Sequence, residues 1–177
     1  MKTVMPLSIF TIGHSTHPIE EFVDILQAHG VEQLADVRII PKSRHNPQFN
    51  REALDATLTA HGISYTHMPG LGGLRHPRKD SINTAWKNAS FRGYADYMQT
   101  PEFSKSLLLL IEFAAKSQTV IMCAEAVPWR CHRSLIADAL LARGIAVEDI
   151  LSKSQRKPHA FTSYARIDGE SVTYPGL

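Results

Sequence analysis

The sequence is poor in cysteine: Cys123 and Cys131 are the only two in 177 residues. That count excludes the disulfide framework of a small secreted domain. Strong charge of one sign is also lacking, since 19 Lys and Arg face 17 Asp and Glu. A net charge of +2 gives no argument for nucleic acid by itself. There is no long hydrophobic run. The most apolar stretch, Leu107 to Ala115, contains Glu112 and is far too short to cross a bilayer. The segment Met1 to Ser8 carries one lysine and a short apolar run broken by Pro6, without the apolar length of a signal peptide. No repeat or low-complexity tract is present. These absences lead to the expectation of a cytoplasmic protein with no membrane partner.

What is there is ordinary globular composition, 44% apolar and 20% charged. The length suits one domain spanning residues 1–177 with a sizeable core. Ser8 to Ile12 is an apolar, β-branched run ending at Gly13, which reads as a buried strand. Pro18 then opens a helix, with Thr16 or His17 as its cap and Phe22, Val23, Ile25 and Leu26 on its apolar face. Leu34 to Arg38 reads as a second strand and Ile63 to His67 as a third. Between them Asn50 caps a helix running to about His61. Met68 to Asn88, with Gly70, Gly72, Gly73 and Pro77, reads as a long loop of functional character. Helices follow around Phe91 to Met98 and after Pro101. Thr119 to Cys123 is the clearest strand. A helix from about Cys131 to Arg143 closes at Gly144, and Ala146 to Leu151 reads as a last parallel strand. Asp168-Gly169 in the tail signals a hairpin. The alternation predicts an α/β fold: a mostly parallel sheet with helices on both faces, a Rossmann-like three-layer arrangement, plus a C-terminal β-hairpin.

Ligands of such sheets bind outside the carboxyl ends of the strands, and the polar residues gather there. Gly13 leads into His14 and Ser15. His14 is a candidate general base, ligand or phosphate donor, against the plainer reading of a loop-fixing hydrogen bond. Ser15 either binds an anion or caps. Asp36 and Arg38 lie two apart on one strand face. They form either a buried ion pair or an anion clamp in which Asp36 orients Arg38. Arg44 and Lys42 continue this basic segment, and Arg75, Arg78, Lys79, Lys87 and Arg92 form another. Together they read either as solvated loops or as one positive rim that attracts an anionic ligand.

The densest group is Cys123, Glu125, Cys131, His132 and Arg133. Strand alternation would put Cys123 and Glu125 on one face, and the first turn of the next helix would bring Cys131, His132 and Arg133. Helix N-termini bind anions and lower thiol pKa values. Cys123, Glu125, His14, Cys131 and His132 are therefore the catalytic candidates, and Ser15, Asp36, Arg38, Arg44 and Arg133 the candidates for holding an anionic substrate. The alternative is that Cys123 is a small core residue and Arg133 a surface charge. The loop loosely resembles the phosphate loop of cysteine phosphatases and rhodanese-like proteins. It departs from it in having one residue more between Cys123 and Arg130, and in carrying Pro128 and Trp129 where small residues are preferred. Metal ligation by Cys123, Glu125, His14 and His132 is less favoured, because Cys123 and Cys131 lack the short spacing of structural zinc. No metal or other cofactor is assigned.

Five blocks together resemble the family known as domain of unknown function 488. They are Thr11 to Ser15; Asp36-Val37-Arg38 with Pro41, Ser43 and Arg44; Leu71-Gly72-Gly73; Tyr94 to Met98; and Cys123-Ala124-Glu125 followed by Cys131-His132-Arg133. The resemblance spans about residues 9–151 and implies a compact α/β fold in an intracellular bacterial or archaeal setting. It implies no established activity.

Three readings of function follow. The first is an enzyme acting on a phosphate-bearing or nucleotide-like small molecule, with Cys123 or Cys131 as nucleophile, His14 or His132 as acid or base, Glu125 orienting it, and the loop around Leu71 as a lid. The second is a nucleic-acid-binding protein that stacks bases on Tyr65, Trp86, Phe91 and Tyr94. The third is a metal-binding or redox thiol protein. Leu71 and Trp86 are also candidates for a homodimer contact.

Overall fold

The structure is a computed structural model that describes residues 7–176. The reading of Met1 to Pro6 lies outside it. Six strands form one sheet in the order β3-β2-β4-β1-β5-β6, where β1 is Ser8–Gly13, β2 Gln33–Asp36, β3 Ser64–His67, β4 Thr119–Cys123, β5 Ala146–Ile150 and β6 Arg156–Pro158. The first five are parallel and β6 is antiparallel to β5. The C-terminal hairpin is present as a separate pair, β7 (Arg166–Asp168) and β8 (Ser171–Thr173), turning at Gly169 with φ +61°.

Helices cover both faces, as the alternation predicts. On one side α1 (Ile19–Ala28) and α2 (Arg51–Ala60) pack Phe22, Leu26, Leu54 and Leu58 against Phe10, Ile12, Leu34, Val120 and Met122. On the other, α3 (Ala89–Tyr97), α4 (Pro101–Ala114) and α5 (Arg133–Ala142) pack against Ile9, Ala35, Ile121 and Cys123. Successive residues of β4 thus serve opposite cores, and all five are buried, as a central parallel strand requires. The alternation also sends Cys123 to the face of α3, α4 and α5.

The connections decide where a site can form. α1 and α2 carry the chain from β1 to β2 to β3 on one face. α3, α4 and α5 carry it from β3 to β4 to β5 on the other. β4 lies between β2 and β1, whose outgoing loops go the opposite way, so a crevice opens at the carboxyl end of β4.

Several local expectations are corrected. Neither Thr16 nor His17 caps α1; Pro18 takes the cap position without a side-chain bond, and His17 approaches Glu21 at 3.3 Å. Asn50 does precede α2, but its Oδ1 accepts from the Ser43 backbone N–H at 2.7 Å and not from the helix. α5 begins at Arg133, two residues later than expected, because Pro128–Arg130 form a 3-10 turn. The edge strand β6 was not anticipated; it contains Pro158, which an edge position tolerates.

The long loop from Met68 to Asn88 is pinned along its length. The Asp96 carboxylate of α3 accepts from the Arg78 backbone N–H at 2.8 Å, Ser81 Oγ at 2.6 Å and Asn83 Nδ2 at 2.7 Å. Tyr94 Oη donates to the Leu71 carbonyl at 2.8 Å and Tyr97 Oη to that of Gly70 at 2.6 Å. Arg75 lies 3.7 Å over the Tyr97 ring. Leu71 is a fully buried core residue, and Trp86 packs on Phe91, Tyr164 and Tyr174. Leu71 is therefore closed to the dimer contact expected of it, whereas Trp86 is half-buried and lines a cleft with Trp129 and Tyr164.

Candidate functional site

The loop after β4 passes directly over the end of β1. A Cβ on Gly13 would lie 1.5 Å from the Glu125 carbonyl oxygen, so only glycine admits this crossing. The crossing is tied by His14 N–H to the Cys123 carbonyl at 2.9 Å and Ser15 N–H to that of Ala124 at 3.0 Å. Ser15 adopts φ +48°, an uncommon conformation for a residue with a side chain.

A cleft of about 310 Å³ opens at the carboxyl edge, over β2 and β4. Cys123, Cys131 and His132 line its floor. Ile39, Ile40, Leu74, Phe91 and Tyr94 supply apolar walls, and Arg38, Lys42, Arg130 and Glu125 bring charge. Leu74 holds φ +60° and is 69% exposed, an apolar side chain kept at the mouth.

Cys123 and Cys131 are both free thiols, and each is almost wholly buried. Burial opposes the Cys123 thiolate. The neighbouring Cys131 thiol, the charge of Arg133 and the backbone at Glu125 outweigh that and hold the Cys123 thiol below its ordinary value. Burial and the same neighbouring sulfur push the Cys131 thiol well up. Of the two thiols, Cys123 is therefore the easier to deprotonate. His132 Nε2 lies 3.0 Å from the Val37 carbonyl and its Nδ1 3.6 Å from Cys131 Sγ. Nε2 must carry the proton to donate to a carbonyl, so Nδ1 offers a lone pair to Cys131. Burial lowers His132 to about 4, so the ring is neutral at pH 7.

Arg133 is 1% exposed. Its Nη2 donates to the Ala126 carbonyl at 3.0 Å, while Nε and Nη1 have no partner. A buried guanidinium so poorly bonded needs compensating negative charge. Its field reaches Cys123 and Asp149. Arg133 is thus no surface charge; it lies beneath the thiols and does not line the cleft wall.

The Asp36–Arg38 pair is buried, and Asp36 occupies the fork that a clamped anion would need. Nε and Nη2 of Arg38 donate to the two oxygens of Asp36 at 2.9 and 2.7 Å. Nη2 also reaches the Phe49 carbonyl at 2.8 Å, and Nη1 lies 3.4 Å from His14 Nε2. Tyr65 Oη donates to Asp36 as well. His14 stacks on Phe49 with ring centroids 4.3 Å apart, and its Nδ1 donates to the Ser15 carbonyl at 2.8 Å. Burial lowers it to about 4. It is a neutral ring behind Arg38, outside the cleft wall.

Two further candidates stand apart from the cluster. β4 ends at Cys123, so strand alternation does not extend to Glu125. Its side chain is exposed on the rim, and its backbone, not its carboxylate, meets the sulfur. Arg44 is exposed and does not line the cleft. Lys42 and Arg130 hold the rim positions instead. Among the described residues, no three His, Cys, Asp or Glu side chains converge as a metal site, and no helix is long and apolar enough to cross a membrane. Of the aromatic residues considered for base stacking, Tyr65 and Trp86 are engaged internally, while Phe91 and Tyr94 line the cleft.

The apolar walls from Ile39, Leu74 and Tyr94 carried no site signal in the sequence, because their roles depend on contacts between distant segments. A second polar group was also missed. Behind α5, Asp138 accepts from His159 at 2.8 Å and Tyr174 Oη at 2.7 Å, and Asp149 accepts from Thr11 Oγ1. Burial opposes the His159 cation, but the two aspartates outweigh it and raise His159 to about 9.

No curated protein and no solved structure matches the chain. The family model described as Domain of unknown function DUF488 matches residues 18–140, well over half the length. The matched span begins after His14 and Ser15 and takes in Asp36, Arg38, Cys123, Cys131, His132 and Arg133. The chain therefore belongs to the Domain of unknown function DUF488 family.

Proposed function

We propose that this protein is a thiol-dependent enzyme that acts on a small, phosphate-bearing, nucleotide-like molecule bound in the cleft over β2 and β4. The observation that carries this reading is the Cys123 sulfur at the cleft floor, lining it together with Cys131 and lowered in pKa by the charge of the buried Arg133. A thiolate is the nucleophilic form of cysteine. Lys42 and Arg130 supply rim charge for the anion, and Ile40, Leu74 and Phe91 supply an apolar surface for a flat ring.

In this reading the Cys123 sulfur attacks the electrophilic phosphorus, and the bond to the leaving oxygen breaks. Cys131 gives its proton to that oxygen; water then attacks the phosphorus, the sulfur–phosphorus bond breaks to return the Cys123 thiolate, and the water's proton restores Cys131. Arg38, filled by Asp36, and His14, neutral behind it, are positioning residues. They hold the end of β2 against the floor.

The test is alkylation of the purified protein by iodoacetamide at neutral pH, with and without inorganic phosphate or a nucleoside monophosphate. Cys123 should be the modified residue, and the anion should slow its modification. Equal rates with and without both anions would remove the phosphate-bearing substrate. A Cys123 that stays unmodified while the protein remains folded would remove the nucleophile.

A further inference from the structure

A hydrolytic nucleophile needs one sulfur, yet the cleft floor holds two, and both belong to one buried cluster. They are also the only cysteines in the chain. Cys123 is 2% exposed and Cys131 5%. Such narrow access favours the smallest electrophiles. The third member of the row is His132, whose Nδ1 lies 3.6 Å from Cys131 Sγ while its Nε2–H is held by the Val37 carbonyl. Behind them the Nε and Nη1 groups of Arg133 are buried without partners.

From this row we infer that Cys123 and Cys131 form a redox pair that reduces small hydroperoxides, with Cys123 as the attacking sulfur, Cys131 as the resolving sulfur and His132 as the residue that positions Cys131. The inference rests on the reading of Cys123 as the reactive thiolate and adds a second chemistry at the same site.

The steps balance as follows. The Cys123 thiolate attacks one peroxide oxygen; the sulfur–oxygen bond forms and the oxygen–oxygen bond breaks. The departing oxygen takes a proton from solvent and leaves as water or an alcohol, and Cys123 is a sulfenic acid. The Cys131 sulfur then attacks Cys123 as its proton passes to the departing oxygen. The sulfur–sulfur bond forms, the sulfur–oxygen bond breaks, and the hydroxide with that proton leaves as water. Two thiols are oxidised by two electrons and the peroxide is reduced by two. Two equivalents of a small thiol reopen the disulfide through a mixed disulfide.

Losing the thiolate has a physical consequence. Arg133 then keeps its charge with Asp149 as the remaining partner in its field. The reduced pair is stabilised relative to the oxidised one, which makes the disulfide readily reducible.

The test is one equivalent of hydrogen peroxide added to the reduced full chain, followed by intact mass and thiol counting. The expected product is a monomer lighter by about 2 Da that has lost both thiols and regains them with a small thiol. The Cys131→Ser variant should stop at a sulfenic acid, heavier by about 16 Da and trapped by dimedone. The Cys123→Ser variant should keep its remaining thiol. Two surviving thiols in the wild type, or a sulfinic acid in place of the disulfide, would overturn the inference. The two readings fail separately. Phosphate protection of Cys123 without disulfide formation leaves the enzyme reading and removes this one. Disulfide formation without protection does the reverse.

Discussion

Arg38 lays Nε and Nη2 against the two oxygens of Asp36, at 2.9 and 2.7 Å, with both residues buried at the carboxyl end of β2. The fork is closed by a partner two residues away, so the arginine serves the site by holding it. Asp36→Ala leaves a buried guanidinium with only the Phe49 carbonyl and His14. The expected loss is about 3–5 kcal/mol, the range for breaking a buried pair from one side. Urea unfolding followed by circular dichroism measures it. Arg38→Lys should also destabilise, because an ammonium cannot bond both oxygens in plane. A loss below about 1 kcal/mol in both variants would equate the pair with an exposed one.

Arg133 should control the reactivity of Cys123. Replacing it with Met keeps the stem and removes the charge, so the Cys123 pKa should rise and alkylation at neutral pH should slow. The thiolate's ultraviolet absorbance, titrated against pH in wild type and Arg133→Met, separates this from loss of folding. An unshifted titration would show that Arg133 does not act on the sulfur.

Lys42 and Arg130 are the cleft-lining cations that take no part in a salt bridge among the described residues. The double variant Lys42→Ala, Arg130→Ala should abolish the protection of Cys123 by phosphate while leaving unfolding unchanged, since rim charges contribute little to stability. Protection in the wild type should weaken with added salt. Arg44→Ala should leave it unaltered, because Arg44 does not line the cleft.

Stability should peak near pH 6.5. His159 is raised from 6.5 to about 9 by Asp138 and Asp149, against the opposing effect of burial. Its contribution is full below pH 6.5 and is lost as pH rises through about 9. His14 and His132 are lowered by burial from 6.5 to about 4, so their contribution is full above 6.5 and is lost as pH falls through about 4. The alkaline limb is worth about 3 kcal/mol at one pKa unit per 1.36 kcal/mol. Melting temperature against pH in wild type and His159→Gln checks this. The variant should lose the alkaline limb and keep the acid one.

Gly13→Ala should displace the loop from Ala124 to Ala126, because its Cβ meets the Glu125 carbonyl oxygen at 1.5 Å. Backbone cannot yield that distance locally, so Cys123 should lose its bond at Glu125 and its reactivity. A parallel melt distinguishes a moved loop from a lost fold.

Much of this was legible in the chain itself. The four apolar residues that follow Thr119 in β4, the helix starts just after Pro18 and at Pro101 and the Asp168-Gly169 turn are local signals, and each became the element its period or turn chemistry implied. The side to which Cys123 points follows from a period of two, and its neighbours Cys131 and His132 from one short loop. What only the tertiary structure decided was the state of each charge. Arg38 is filled by Asp36 and the Phe49 carbonyl, Arg133 is buried under the sulfurs, Arg44 faces water, and Lys42 with Arg130 holds the rim. The reason is physical. A strand or helix is specified by neighbours a few residues away, but the charge that a side chain can offer depends on burial and on partners brought from distant parts of the chain.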